Sequence, residues 1–198
     1  RDLKKVKENE FGEFIPKDEY GLAKYFCSMS SQNKNKFLTL RLFGIYGPYE
    51  NYRFKFISNS IVKHILKMPI IIKQDVVFDY LYVDDFIKVV DYFLHHDNKF
   101  FDYNISTTKS IKLSEIINLI DEAGNRKSDI VIDNPELNFE YTGNNSRLLG
   151  EVKNLNLITY RNGIKKLYNC YLELYRAGKL DIQAIKKDEY LKKSKIKK

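Results

Sequence analysis

Apolar residues recur with helical spacing in some stretches of the chain and form short continuous runs in others. The helical period predicts helices over about residues 18–32, 54–67, 84–95, 114–123 and 161–177. The runs 37–43, 70–72, 101–105, 110–113 and 130–132 have the length and composition of strands. Helices that alternate with such strands indicate an α/β fold with a parallel sheet. The later half has shorter strands and longer loops, which predicts a smaller lobe beside that sheet.

The ends of these elements follow from capping and turn residues. Asp18 is the expected N-cap of the first helix, and Asp84 with Asp85 is expected to cap the helix that runs to about residue 95. The continuous run 37–43 suits a parallel strand covered on both faces. The mixed charges of residues 1–15 favour a loop or a short helix. A polar loop is expected around residues 143–145, followed by a helical turn.

Tyr20 and Lys24 are four residues apart, which on a helix places them on one face, one turn apart. An ammonium a few ångströms from a phenol favours the ionised phenol, and such a pair can act as a general acid and base near neutral pH. Tyr175 and Lys179 have the same spacing. They lie in a late basic helix that no strand follows, so we interpret them as a solvated helix face.

Composition and charge limit the other classes of function. Two cysteines without a metal-ligand spacing, and no apolar run of membrane-spanning length, predict a cytoplasmic protein without a metal. The three histidines, His64, His95 and His96, are expected at the surface or at helix ends. The net charge of +8 suggests nucleic acid, but residues 184–198 alone hold seven lysines against two acidic residues. We therefore interpret this basic tail as solvated, and we expect neither nucleic acid nor a membrane as a partner.

Five stretches, taken together and in order, resemble the extended short-chain dehydrogenase/reductase family. They are Tyr-Gly-Leu-Ala-Lys at 20–24, Arg-Leu-Phe-Gly-Ile-Tyr-Gly-Pro at 41–48, Asp-Tyr-Leu-Tyr-Val-Asp-Asp at 79–85, Tyr-Asn-Ile at 103–105 followed by Ile-Lys-Leu-Ser-Glu at 111–115, and Ser-Arg-Leu-Leu-Gly at 146–150. The resemblance implies the later part of a Rossmann-like doubly wound parallel sheet, plus a small C-terminal α/β substrate lobe. It implies NAD or NADP as cofactor, a nucleotide-sugar substrate and a homodimer.

The resemblance also implies roles for single residues. Tyr20 would be the acid/base at the sugar oxygen, and Lys24 would assist it and hold the nicotinamide ribose. The end of the strand would lie along the nicotinamide and, at Gly44, along the sugar. The cofactor-binding residues would be Tyr20, Lys24, Leu42, Phe43 and Gly44, and the substrate-binding residues Gly44, Phe54, Phe56, Ser60, Ile72, Phe78 and Arg147.

Several departures from the family pattern matter. Gly44 stands where the family usually has Asn, and Phe78 where it often has Arg to hold a phosphate. Arg147, Arg53 or Lys55 are the alternatives for that contact. No glycine-rich phosphate loop occurs in the chain, and only 19 residues precede Tyr20. We therefore expect an N-terminally incomplete chain that is inactive in isolation.

These observations favour part of an NAD(P)-dependent enzyme that oxidises or reduces, epimerises or dehydrates a nucleotide-activated sugar, as in polysaccharide biosynthesis. Two alternatives stay open: a catalytically inactive relative that acts as a binding module, and a basic nucleic-acid-binding protein. The expected organisation has residues 1–50 as the rest of the Rossmann-like domain with the active-site helix. Residues 51–183 form most of the substrate lobe together with returning sheet elements, and residues 184–198 form the tail.

Overall fold

The computed structural model describes residues 2–32 and 37–188 of the chain. Its helices are α1 (Glu19–Ser31), α2 (Phe56–Ile65), α3 (Val83–His95), α4 (Leu113–Gly124), α5 (Ser146–Glu151), α6 (Tyr160–Arg176) and α7 (Ile182–Lys186). Its strands are β1 (Leu3–Val6), β2 (Thr39–Leu42), β3 (Ile45–Tyr46), β4 (Ile70–Gln74), β5 (Val77–Phe78), β6 (Leu81–Tyr82), β7 (Asp102–Ile105), β8 (Ile111–Lys112), β9 (Ile130–Asn134) and β10 (Tyr141–Gly143).

The strands pair mostly in parallel. β2 lies beside β7, with Thr39 opposite Asp102 and Leu42 opposite Ile105. β3 pairs in parallel with β6, and β4 with β9. The four-stranded sheet has the order β1-β10-β5-β8, in which only the β5–β8 pair is antiparallel. Parallel strands joined through helices confirm the predicted α/β class.

Two clusters of buried side chains form the core. The larger cluster joins α2, α4 and α6 through residues such as Ile61, Ile116 and Ile164, each fully buried. The smaller one lies over the β2–β7 pair and includes Val89 of α3 and Leu148 of α5. The apolar stripes read from the helical period are therefore the faces that these helices bury.

Three local predictions need correction. Residues 1–15 contain β1 and a 3₁₀ turn at Glu8–Glu10, and the expected polar loop near 143 begins as β10. Leu3 of β1 lies opposite Tyr141 of β10, so this pairing joins distant parts of the sequence, and no local pattern marks either strand. The N-cap of α3 is Tyr82, and the two acidic residues expected there lie in the first turn of the helix. Acidic side chains in that turn still interact favourably with the helix dipole.

The predicted strand 37–43 is shorter and more open than expected. Only Thr39–Leu42 forms β2, and Phe37 and Leu42 are 56% and 39% exposed. In the described part of the chain, β2 has a strand on one side only, which is β7. The expected burial of this strand on both faces is therefore not found.

His64 is buried rather than exposed, unlike His95 and His96. Its Nδ1 lies 3.0 Å from the Tyr168 hydroxyl, and its Nε2 lies 3.1 Å from the carbonyl oxygen of Arg126. Burial lowers the pKa of His64, which favours the neutral ring. The residue therefore joins α2 to α6 and to the end of α4; it lies at a helix end, one of the two expected positions, but not at the surface.

Candidate active site

Tyr20 and Lys24 lie in the first turns of α1. The Asp18 carboxylate caps this helix by accepting a hydrogen bond of 2.8 Å from the backbone N–H of Gly21, as the sequence predicted. The Tyr20 side chain is 74% exposed. The Lys24 Nζ lies 5.5 Å from the centre of the Tyr20 ring. The helix therefore presents an open phenol with an ammonium beside it.

Gly21 fits a narrow space between α1 and the chain that leads into it. A Cβ at this position would lie 2.5 Å from the Pro16 Cβ and 2.9 Å from the Asp18 carboxylate. Any larger residue would push the incoming chain away from the cap. The glycine therefore allows the helix to begin at the position that places Tyr20 on the surface.

The end of β2 forms the next part of the site. Leu42 is half-exposed, and Gly44 accepts a hydrogen bond of 2.9 Å from the Leu81 N–H. A Cβ on Gly44 would lie 2.6 Å from the carbonyl oxygen of Asp79 and 3.0 Å from the Tyr80 ring. The close approach of these two segments therefore requires glycine where the resembling family usually carries Asn.

Three aromatic rings gather at this end of the sheet. The Tyr141 ring centre lies 5.1 Å from that of Phe43 and 6.3 Å from that of Phe78. Burial raises the pKa of Tyr141, and the charge of Tyr20 raises it further. The structure thus brings Phe43 and Phe78 together around Tyr141. Sequence reasoning missed Tyr141 because it assigned this region to a polar loop; the aromatic residue two positions before Gly143 was the available signal.

Asp79 holds these strands in place through its side-chain carboxylate. It is fully buried, and its carboxylate accepts a hydrogen bond of 2.8 Å from the Gly143 N–H. The Lys5 Nζ lies 3.5 Å from the same carboxylate, and Thr107 Oγ1 donates to it at 3.5 Å. A buried carboxylate needs such partners. Asp79 therefore fixes β10, which carries Tyr141, beside β1.

The predicted residues on the substrate lobe lie deeper. Phe54 is half-buried, and Phe56, Ser60 and Ile72 are 7%, 1% and 2% exposed. Phe56 and Ile72 belong to the larger core cluster. These side chains therefore support the lobe from within rather than forming an open surface.

Arg147 lies apart from the other predicted residues. Its guanidinium donates to the carboxylate and to the carbonyl oxygen of Asp102, and its Nε lies 3.9 Å from the Glu8 carboxylate. Asp102 begins β7, whereas Leu42 lies at the opposite, carboxyl end of the β2–β7 pair. The strand between them is four residues long, about 10 Å from end to end. The structure therefore does not bring Arg147 to the aromatic group at Phe78.

A model of the NAD-dependent epimerase/dehydratase family matches residues 3–106, just over half of the chain. The chain belongs to this family. The resemblance carried by the five sequence stretches is therefore confirmed. A comparison with curated proteins found no match.

Solved structures of similar proteins share the fold. A UDP-glucose 4-epimerase from Thermotoga maritima is 17% identical with a TM-score of 0.66, covering 79% of this chain and 54% of its own. A dTDP-glucose 4,6-dehydratase from Bacillus anthracis, in complex with NAD, is 21% identical with a TM-score of 0.68 (80% and 53% covered). A GDP-L-fucose synthetase from Naegleria fowleri, bound to NADP, is 14% identical with a TM-score of 0.72 (87% and 60% covered). These likenesses confirm the Rossmann-like α/β fold.

The chain spans between 53% and 60% of the length of these three solved proteins. The expected cofactor, NAD or NADP, is confirmed at the level of the family, which is NAD-dependent. The open Tyr20 phenol, Lys24 and the half-exposed end of β2 fit the nicotinamide end of such a cofactor.

Two further searches concern membranes and metals. Within residues 2–32 and 37–188, no helix combines the length and the apolar character needed to cross a membrane. The same residues contain no group of three or more His, Cys, Asp or Glu side chains placed to hold a metal ion.

Proposed function

We propose that the natural polypeptide carrying this chain is an NAD(P)-dependent enzyme that oxidises or reduces, epimerises or dehydrates a nucleotide-linked sugar. One observation carries the proposal: Tyr20 is open to solvent with Lys24 over its ring, in a chain of this family. The similar solved proteins are named for UDP-, dTDP- and GDP-linked sugars, which supports that substrate class.

Tyr20 is the proposed acid and base. It accepts the proton of a sugar hydroxyl when the carbon is oxidised, and it returns a proton to the oxygen when the ketone is reduced. Lys24, which lies over the Tyr20 ring, would assist this proton transfer and hold the nicotinamide ribose. A bound nicotinamide would supply the hydride chemistry of this site. Leu42, Phe43 and Gly44 line the nicotinamide side of the site.

The aromatic rings form the proposed substrate wall. Phe43, Phe78 and Tyr141 pack together just beyond the end of β2, and we propose that a sugar or a base packs against them. Gly44 allows the end of β2 to lie close against Asp79 and Tyr80, beside this wall. Four residues, Phe54, Phe56, Ser60 and Ile72, support this wall from the substrate lobe.

The proposed pocket includes neither of the two arginines considered for the phosphate contact. The Arg147 guanidinium is occupied by Asp102 and Glu8, and the Arg53 guanidinium pairs with Asp181. Lys55, at the N-cap of α2, is exposed and is the remaining candidate of the three. We therefore assign the phosphate contact within this chain to Lys55.

We also retain the proposed organisation into residues 1–50, 51–183 and a tail at 184–198, whose last ten residues lie outside the described part. The two core clusters support two lobes. The outward side chains Phe26 and Met29 of α1 are 61% and 46% exposed, which supports a homodimer through this helix. We place the polypeptide in the cytoplasm, in polysaccharide biosynthesis.

The test uses the natural polypeptide that carries residues 1–198. It is incubated with NAD or NADP and a panel of UDP-, dTDP- and GDP-sugars, and the products are identified by nuclear magnetic resonance. We expect one sugar class to be converted. Tight binding of a nucleotide sugar without conversion in any condition would instead identify an inactive relative that acts as a binding module.

A further inference from the structure

The end of the described chain packs against the segment that leads into α2. We define the strap as residues 180–188 and the substrate loop as residues 49–55, which follow the Gly47–Pro48 turn. Leu180 and Ile185 of the strap are 9% and 1% exposed and belong to the larger core cluster. The strap is therefore fixed to the body of the substrate lobe by buried apolar side chains.

Polar contacts join the strap to the substrate loop at Asp181. One carboxylate oxygen lies 2.7 Å from Arg53 Nη2, and the backbone N–H donates to the Tyr52 hydroxyl at 2.9 Å. The other carboxylate oxygen accepts a hydrogen bond of 3.0 Å from the Ala184 N–H, which caps α7. Asp181 thus caps the N-terminus of α7 and also contacts two consecutive residues of the substrate loop, Tyr52 and Arg53.

The far end of the strap is anchored separately. The Lys63 side chain, 2% exposed in α2, places its Nζ 2.7 Å from the Asp188 carboxylate. A buried ammonium requires such a partner, since an unpaired charge would be costly there. The strap is therefore held at both ends, and its position does not depend on Asp181 alone.

The substrate loop has no regular secondary structure of its own. Tyr49 is fully exposed and has a positive φ of 69°. Asn59 Nδ2 donates to the Tyr52 carbonyl oxygen at 3.0 Å, and the Tyr171 hydroxyl donates to the Glu50 carbonyl oxygen at 3.3 Å. These contacts tie the loop to α2 and α6, while Asp181 ties it to the strap. The loop ends next to Phe56, the first residue of α2.

We propose that Asp181 is a positioning residue, which holds Tyr52 and Arg53 so that the substrate loop keeps Lys55, the proposed phosphate contact, in place at the start of α2. The inference rests on the proposed function, because only a nucleotide-sugar site gives Lys55 that role. It also assigns Arg53 to a brace within the chain rather than to a phosphate.

The chain offers a matched control for the loss of an ion pair. Arg161 and Glu122 also lie 2.7 Å apart, and their side chains are 67% and 47% exposed, against 40% and 47% for Arg53 and Asp181. The control pair joins α6 to α4 and touches no part of the substrate loop. Glu122→Gln therefore removes an equivalent charge contact without releasing the loop.

The experiment compares Asp181→Asn, Arg53→Gln and Glu122→Gln in the natural polypeptide. Asparagine at 181 keeps an oxygen for the cap of α7 but loses the charge. Because an ion pair this exposed is weak, we expect amide hydrogen exchange in residues 49–56 to rise about fivefold in the first two variants. We expect the Michaelis constant for the nucleotide sugar to rise by a similar factor while turnover stays within about twofold.

Two further variants test the positioning role of Asp181. The double variant at 53 and 181 should change exchange no more than either single variant, and Arg53→Lys should restore most of the wild-type behaviour. Unchanged exchange in the substrate loop, or the same increase with Glu122→Gln, would overturn the positioning role. So would faster exchange with an unchanged Michaelis constant. A wild-type protein without turnover would instead overturn the proposed function, and the positioning role with it.

Discussion

Replacing Glu50 with glutamine is expected to stabilise the chain at alkaline pH and to have little effect at acid pH. Glu50 lies in the substrate loop and accepts a hydrogen bond from the Ser58 hydroxyl. Burial raises the pKa of Glu50 from 4.5 to about 7, against the opposing effects of the Ser58 hydrogen bond and the Lys55 charge. The folded chain therefore binds this proton more tightly than the unfolded chain does.

The sign of the effect follows from this difference. Below the ordinary pKa the carboxyl group is protonated in both states, and its titration costs nothing. Between pH 4.5 and about 7 the unfolded chain releases this proton while the folded chain keeps it, so the free energy of unfolding falls. Above about 7 the folded state also carries the charge, and the loss is complete. Two and a half pH units at about 1.4 kcal/mol each give a loss of about 3 kcal/mol in the alkaline range.

The glutamine amide carries no such charge, and its oxygen can still accept from Ser58. Urea unfolding of Glu50→Gln and of the unmodified chain should therefore differ by about 3 kcal/mol near pH 8, and by less than about 0.5 kcal/mol near pH 4.5. Glu136→Gln, at an exposed position, is the control and should change neither value. A gain from Glu50→Gln that is equal at both pH values would refute the reasoning.

Three other outcomes are expected. Burial lowers the pKa of His64, so the free energy of unfolding should fall as the pH drops below about 6.5, and urea unfolding of His64→Gln should show a smaller fall. Gly143→Ala should cost about 1–3 kcal/mol, because its Cβ would lie 2.4 Å from the Phe43 ring, whereas Gly150→Ala in α5 meets no atom within 4 Å and should be neutral or stabilising; thermal unfolding compares the two. The chain alone has no glycine-rich loop, so calorimetric titration with millimolar NAD or NADP should detect no binding by residues 1–198.

The elements that local chemistry determines were predictable from the sequence. The first helix begins at its Asp18 cap, because a short acidic side chain after a proline favours that start. The helix 114–123 ends as expected near Gly124, where Asn125 adopts the left-handed conformation. Such elements carry their boundaries in a few adjacent residues.

Features that depend on distant contacts were not predictable. β10 is three residues long and is defined by its neighbours β1 and β5, so its own sequence shows no strand period. Without it, Tyr141 could not be placed beside Phe43 and Phe78. His64 is buried because Tyr168, 104 residues away, packs over it.

The stretch at residues 146–150 shows how far the sequence could predict the candidate site. Its resemblance predicts a role for this segment but does not say at which end of the sheet the side chain lies. Only the pairing of β2 with β7 shows that Arg147 lies beside Asp102 and away from the aromatic wall. Motifs therefore located Tyr20, Lys24 and the end of β2 in the chain, while the composition of the wall required the fold.

The central claim is that Tyr20 moves the proton in the proposed reaction. The most direct test is the turnover of Tyr20→Phe in the natural polypeptide with its nucleotide sugar, beside Tyr175→Phe from the other tyrosine–lysine pair with the same spacing. We expect Tyr20→Phe to lose about 10²-fold or more in turnover with cofactor affinity retained, and Tyr175→Phe to match the unmodified enzyme. Turnover of Tyr20→Phe close to that of Tyr175→Phe would contradict the account.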